Sequence, residues 1–397
     1  MKKALKAAIF GITAGVTALA FSANAGIKDF YKWEVLNAKY VNDELPTDPK
    51  ADLWKSVPGK KVYLYPQVSV RLNDKKANEI IPRKRLTAAL VKVAYNRDNI
   101  AVYITWKDKT PSIQPAVTTN AFADGVSIEF PNKFGKGITL PYIGMGDSKH
   151  PVTVYLQKEV AGRDYQKSFI SEGFGSLTEI NEPDVDVVMV YNKGKREWTA
   201  VFKRPLKTEN SNLKAGLVPI GFAIWDGSQY ERDGNKSLSR WKFIRLGKYE
   251  LDKDYLSYVS WGDMIHKEGD PERGKQLMAQ NGCNGCHRYD DQQMAPEGMA
   301  PNLYNIGGIA HAPYLRDSIV DPNDVVIKNL NQNRHYNKAG AKDVNGAYPN
   351  NDMFTWYIVN PDGTVSSKMP PFNFLPEEDI KDIVAYLKTL RTWKNFK

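Results

Sequence analysis

The 397-residue chain has only two cysteines, and both fall in the run Cys283-Asn284-Gly285-Cys286-His287. A Cys-x-x-Cys-His run is the attachment site of a c-type haem. Each thiol adds across one vinyl group, and the histidine that follows is set beneath the iron as an axial ligand. Two other readings of a Cys-x-x-Cys pair are a redox dithiol and half of a zinc site. Zinc needs further Cys or His at ligand spacing, and His150, His266, His311 and His335 are scattered singly. The run therefore predicts one covalent haem c on Cys283 and Cys286, with His287 on the iron.

The amino terminus reads as an export signal over residues 1–25. Lys2, Lys3 and Lys6 precede an uncharged apolar stretch from Ala7 to Phe21, and Ser22-Ala23-Asn24-Ala25 offers small residues for cleavage. The stretch is short for a membrane span, so no stable span is expected. Export places the protein in the periplasm or an equivalent extracytoplasmic compartment, where c-type haem is attached. Removing the signal lowers the net charge from +10 to +7. From Asp263 onward there are 15 basic and 17 acidic residues, so the excess of +9 lies in residues 26–262. No interleaving of basic and aromatic residues suggests nucleic acid. The basic charge fits a solvated surface, with docking to an acidic partner as the second reading.

Residues 263–397 read as a small all-α domain. Asp270-Pro271-Glu272-Arg273-Gly274 is a helix start with Asp as N-cap and Pro at the first helical position, and it leads into the Cys-x-x-Cys-His run. Near the end, Pro376-Glu377-Glu378-Asp379 places acids at a helix amino terminus. Ile380, Ile383, Val384, Leu387 and Leu390 then recur at helical spacing. Between these helices lie Ala300-Pro301-Asn302-Leu303, a run from Tyr314 to Asn323, and Met369-Pro370-Pro371-Phe372. The set resembles the class I cytochromes c. In that family a Met-Pro loop at this position supplies the sixth ligand, which implies Met369, with Met353 in reserve and Met294 and Met299 behind it. A polar, Asn-rich insertion at about 328–368 departs from the compact pattern. With Trp356 and Tyr357 in it, it is read as a docking surface, with a disordered segment as the second reading.

Residues 26–262 have a different texture. Ile100, Val102, Ile104 and Trp106 alternate with Ala101, Tyr103 and Thr105, and Asn96-Arg97-Asp98-Asn99 makes a hairpin with Leu90–Tyr95. Further strand-like runs are Val62–Leu72, Val126–Phe130, Val152–Leu156, Val185–Val190, Trp198–Phe202, Phe222–Trp225 and Trp241–Leu246. Their density predicts an antiparallel β-sandwich. Its aromatics suit a core between the layers able to hold a flat ligand. There is no phosphate-binding glycine loop, no histidine pair at metal spacing and no nucleophile elbow.

Three stretches carry a second resemblance. Asp124-Gly125-Val126-Ser127-Ile128-Glu129-Phe130-Pro131, Pro141-Tyr142-Ile143-Gly144-Met145-Gly146-Asp147, and Ala223-Ile224-Trp225-Asp226-Gly227-Ser228 with Asn235-Lys236-Ser237-Leu238-Ser239-Arg240-Trp241 resemble the haem-binding γ subunits of type II dimethyl sulfoxide reductase-like enzymes. That family binds haem b non-covalently between a Met and a Lys, which here implies Met145 and Lys236. A sandwich of this kind followed by a mono-haem cytochrome c resembles the C subunits of nitrite oxidoreductases. The resemblance implies a di-haem electron-transfer subunit. It would sit between the iron–sulfur and molybdenum subunits of an oxidoreductase and a soluble cytochrome, with no catalytic residues of its own. Two other classes are a cytochrome fused to a carbohydrate-binding sandwich, which predicts a shallow aromatic face, and a haem peroxidase, which needs an open iron position.

Overall fold

The computed structural model describes residues 34–69, 86–115, 121–135, 138–213, 216–248, 269–289, 295, 299–326 and 356–391. The expected signal, the domain boundary at 262/263, Met294, Met353 and most of the 328–368 insertion lie outside the described residues.

The first part is built of β1 (Val35–Asn37), β2 (Lys39–Tyr40), β3 (Gly59–Pro66), β4 (Thr87–Tyr95), β5 (Asn99–Lys107), β6 (Gly125–Pro131) and β7 (Val152–Val160). It continues with β8 (Arg163–Ser171), β9 (Leu177–Ile180), β10 (Asp186–Asn192), β11 (Glu197–Pro205), β12 (Leu217–Trp225), β13 (Ser237–Leu238) and β14 (Lys242–Arg245). A helical turn, α1 (Leu53–Ser56), and a 3-10 turn at Gly227–Gln229 interrupt them. The strands run in the order β10-β11-β5-β4-β3-β13-β12-β6-β7-β8-β9, antiparallel along that path. Among the described residues, the short pairings of β1 with β14 and β2 with β4 are parallel, as is the isolated bridge of Gln114 to Val160. The sheet curls into two layers: Val62, Leu64, Val91, Ile104 and Phe202 meet Val126, Ile128, Ile220 and Phe222 in one core. This is the expected sandwich.

One layer is covered on its outer face as well. In β12 every residue is buried. Ile220, Phe222 and Ile224 face the interlayer core, while Ala223 and Trp225 enter a second apolar cluster. Likewise Tyr155 of β7 points inward, and Val152, Val154 and Leu156 point to the second cluster. Successive strand residues alternate faces, so an unbroken apolar run needs cover on both sides. Strands β8 and β9 were not foreseen. Arg163–Ser171 carries Arg, Asp, Gln and Lys, and most of its positions are only partly buried, which leaves little apolar alternation to read.

The second part is helical: α2 (Pro271–Gln280), α3 (Ile306–Ile309), α4 (Ala312–Val320) and α5 (Glu377–Thr389), with a hairpin of β15 (Tyr357–Val359) and β16 (Val365–Ser367). The Asp270 carboxylate accepts from the amides of Glu272 and Arg273 at 2.9 and 3.2 Å, the cap that the sequence implied. Helices α2 and α5 cross at Gly274, where an added Cβ would lie 1.9 Å from the Asp382 carbonyl oxygen. Arg273 clasps the crossing through Asp379 and Asp382. Ile380, Ile383, Val384, Leu387 and Leu390 are all buried along α5. The hairpin shows that the described end of the insertion, from Trp356, is ordered.

The two parts are fastened by polar contacts. The Asn302 and Asn305 side-chain amides donate to the carbonyls of Val68 and Pro66 at 3.4 and 3.0 Å, and the Ser69 hydroxyl donates to the Asn302 carbonyl at 3.0 Å. His311 Nε2 donates to the Trp241 carbonyl at 3.1 Å, and Lys149 pairs with Asp324. Tyr142 stacks on Tyr314 with ring centres 5.2 Å apart.

Candidate haem sites

The Cys-x-x-Cys-His run leaves the end of α2 as a single tight turn, in which the amides of Cys286 and His287 both donate to the Cys283 carbonyl. Cys283, His287 and Met369 border one cleft together with Met278, Leu303, Ile319, Phe372, Ile383 and Leu387. It encloses about 390 Å³ of space, part of it open to solvent. Cys286 is exposed beside it. The His287 Nδ1–H donates to the Pro301 carbonyl at 2.9 Å. That bond selects the tautomer and leaves Nε2 as the donor atom for a metal. Met369 is held by its amide, which donates to the Ser367 hydroxyl at 3.0 Å. Burial pushes the Cys283 thiol up to about 11, so the free side chain is not a ready thiolate. An imidazole nitrogen, a thioether and one thiol on an apolar cleft, with the second thiol exposed in the same turn, fit a covalent c-type haem. Met278 also borders this cleft and was not considered from sequence; Met299 does not line it.

The other two expected ligands come together on the outer face of the β6–β7–β12 layer. This corrects the expectation of a flat ligand between the layers, because the interlayer core is filled by side chains of both sheets. Met145 and Lys236 are 8% and 3% exposed. Met145 shares its apolar cluster with Tyr142, Ile143, Phe174, Trp225, Leu238 and, from the helical part, Ile309. Lys236 Nζ lies 5.0 Å from the Trp225 ring centre and 5.4 Å from that of Phe174. Phe174 in turn borders the Met145 loop, where a Cβ on Gly144 would meet it at 2.6 Å.

Both loops are pinned by main-chain bonds. The Pro141 carbonyl accepts from the Trp241 indole at 2.9 Å. The Tyr142 carbonyl accepts from the Gly146 amide, and the Met145 carbonyl from the Gly173 amide, each at 2.8 Å. Met145 itself has φ of 74°, a conformation that costs a non-glycine residue energy and persists where its surroundings dictate it. Around Lys236, the Gln67 amide donates to the Lys236 carbonyl at 2.8 Å and the Trp225 indole donates to the Asp233 carbonyl at 3.1 Å.

The electrostatics of this cluster suit a neutral amine. Among the described residues the Lys236 side chain makes no hydrogen bond or ion pair. Burial pushes its ammonium well below the usual lysine range, and the Glu129 carboxylate opposes that shift. Burial likewise pushes Glu129 well above the usual carboxylate range, and its Oε1 is buried without a partner. An unpaired buried charge is costly, so such groups tend to neutralise. A buried thioether and an amine without a hydrogen-bond partner, in an aromatic setting, form a donor set that fits a non-covalent haem.

Residues 271–391 match the cytochrome c family. A chlorate reductase γ subunit of Ideonella dechloratans is 30% identical over 203 residues, 50% of this chain and 79% of that one. The chain belongs to the γ subunits of the type II dimethyl sulfoxide reductase-like enzymes. A dimethylsulfide dehydrogenase γ subunit of Rhodovulum sulfidophilum is 26% identical over 215 residues, 51% of this chain and 76% of that one. A candidate respiratory nitrate reductase heme subunit (ORF7) of Haloferax mediterranei is 26% identical over 222 residues, 55% and 74% of the two chains. Each match to a γ subunit is longer than the whole cytochrome c match. Among solved structures, a family 9 carbohydrate-binding module of Caldicellulosiruptor kristjanssonii in complex with glucose aligns at 10% identity with a TM-score of 0.29. It covers 55% of this chain and all of that one.

Membership of this γ-subunit family with a cytochrome c domain makes electron transfer within a molybdoenzyme complex the role of the chain. Sequence reasoning passed over Glu129, Phe174 and Tyr314, which border the second cluster. Glu129 had a readable signal, as the one acid within a buried strand. Phe174 and Tyr314 had none, because they arrive from a loop and from another part of the chain.

Proposed function

We propose that the chain is a di-haem electron-transfer subunit of an exported molybdenum oxidoreductase of the nitrite oxidoreductase type. Its haem c is attached at Cys283 and Cys286 and ligated by His287 and Met369. Its haem b is ligated by Met145 and Lys236. The haems, when bound, supply reversible one-electron redox chemistry. The chain's own residues set its terms. His287 is oriented by the Pro301 carbonyl. Met369 offers a soft neutral thioether, which favours ferrous iron and a higher potential. Burial disfavours the ammonium form of Lys236, and only the neutral amine can ligate. With His287 and Met369 to hold one haem and Met145 and Lys236 the other, neither site would leave a position open for substrate, and oxidation of nitrite would belong to the molybdenum subunit. Electrons would pass from that enzyme's iron–sulfur subunit to haem b, then to haem c and a soluble cytochrome.

The observation that carries this reading is the shared cluster. Ile309 and Tyr314 of the helical part pack into the same apolar group as Met145 and Trp225, and Tyr314 also packs on the core beneath the Cys-x-x-Cys-His cleft. Two redox sites built back to back across one interface suit a relay. A sugar-binding sandwich would present aromatics on an open face, whereas Trp106, Trp198, Trp225 and Trp241 are buried. Among the described residues no helix is long and apolar enough to cross a membrane. The test is a pyridine haemochrome spectrum quantified per chain. One haem c with one haem b supports the relay; haem c alone, persisting after haem reconstitution, refutes it.

A further inference from the structure

Across the outer face of the same layer runs a line of alternating cations and aromatic rings. Trp225 of β12, Gly125 of β6, Lys158 of β7 and Tyr165 of β8 lie side by side in register. Lys236 Nζ stands 5.0 Å from the Trp225 ring centre, and Lys158 Nζ stands 5.6 Å from the same ring. Lys158 is also 5.9 Å from the Tyr165 ring centre, on which the Arg163 guanidinium sits at 4.8 Å. Gly125 makes the line possible, since a Cβ there would lie 2.9 Å from Lys158 Cγ. Lys158 continues the row Val152, Val154, Leu156 that lines the Met145 cluster.

Among the described residues no carboxylate is in contact with Lys158. Among the described residues its side chain makes no hydrogen bond or ion pair, and the acid that acts on it, Asp233, does so only at longer range. A lysine can cover an aromatic ring with its stem while its head stays in water, but this one is partly buried at the rim of an apolar site. Arg163, in contrast, is exposed. Both amines stand over one indole, Lys236 at 5.0 Å and Lys158 at 5.6 Å from its ring centre. One amine is thus in place for the metal and the other for the carboxylates.

We propose that Lys158, backed by Arg163, is the anion-binding end of the second haem site, and that the anion it holds is a haem propionate. The proposal rests on the haem b reading of Met145 and Lys236. It orients the porphyrin: the propionate edge lies over Trp225 and Tyr165, towards β8. Lys158 is a positioning residue, and it acts on affinity and orientation rather than on the iron.

The test uses the full chain, with its covalent haem in place and its extractable haem removed, titrated with protohaem IX or with its dimethyl ester, which lacks the propionate charges. Binding is read from the Soret band, and the haem c spectrum reports that the chain is folded. The native chain is expected to prefer protohaem, Lys158→Met to weaken protohaem binding about tenfold and erase the preference, and Lys158→Arg to keep it. Arg163→Met is expected to reduce the preference in part. A native preference that survives intact in Lys158→Met, or a native chain that binds both haems equally, overturns the propionate assignment while leaving haem b in place. A native chain that binds neither overturns the haem b reading and this proposal with it.

Discussion

Substituting Gly274 by alanine tests the geometry on which the haem c cleft depends. The new Cβ would sit 1.9 Å from the Asp382 carbonyl oxygen and 2.4 Å from its carbon. Ordinary contact begins near 3.4 Å, so α5 must withdraw by about 1.5 Å. Both atoms are backbone, so no side-chain rotation relieves the clash. Overpacking of this kind costs about 1–3 kcal/mol, while alanine returns about 1 kcal/mol of helix propensity. Withdrawal also strains the bond from the Asp270 amide to the Asp382 carboxylate, 2.7 Å long, worth about 1 kcal/mol. The net expectation is a loss of about 2 kcal/mol. Because α2 leads into Cys283 and α5 lends Ile383 and Leu387 to the cleft, the haem-to-methionine absorption band should weaken too. Denaturant unfolding followed at the haem band measures the first effect, and the visible spectrum the second. Gly194→Ala is the control, since its added Cβ meets only Asn192 Oδ1, at 3.5 Å. Gly274→Ala with unchanged or raised stability and an intact band would refute the crossing and the cleft built on it.

Met369→Ala should abolish the haem-to-methionine band and lower the haem c potential while covalent haem stays at one per chain, read by redox titration; an unchanged band points to another ligand, with Met278, which also lines the cleft, as the alternative. Lys236→Met should change the ligand set of haem b and shift its potential, and Lys236→Ala should lose haem b while haem c is retained, read by haemochrome ratio. Acidification should release haem b before it disturbs haem c attachment, because protonation turns the Lys236 amine into an ammonium that cannot ligate, whereas thioethers do not titrate; a pH series of the haem b absorption that stays flat down to the acid unfolding of the chain would count against lysine ligation. Asn305→Ala removes the donor to the Pro66 carbonyl at the interface and should cost about 1–3 kcal/mol, with calorimetry expected to show separate unfolding of the two parts where the native chain unfolds together.

Much of the architecture could be read from local pattern. Period-2 alternation marked β5, and strand-like runs marked β4, β6, β7, β10, β11 and β12, because each buries at least one apolar face. The Asp270 cap, the acids at the start of α5 and its apolar stripe marked the two crossing helices, since capping and stripe burial act over one or two turns. The Cys-x-x-Cys-His run determined the chemistry of the second part by itself, because covalent attachment needs those residues at that spacing and nothing distant.

What only the tertiary structure decided is where the proposed second site lies. From sequence, Trp225 and Val154 are apolar strand residues, and either side of the sheet could have covered them. The Met145 loop, Phe174, and Ile309 and Tyr314 from the helical part place the cover on the outer face. The same long-range packing turns Lys236, one lysine among many in the chain, into a buried amine that makes no hydrogen bond among the described residues, and brings Lys158 and Lys236 to one indole. Burial depends on which distant segments close over a face, and the covering segments leave no mark on the residues they cover.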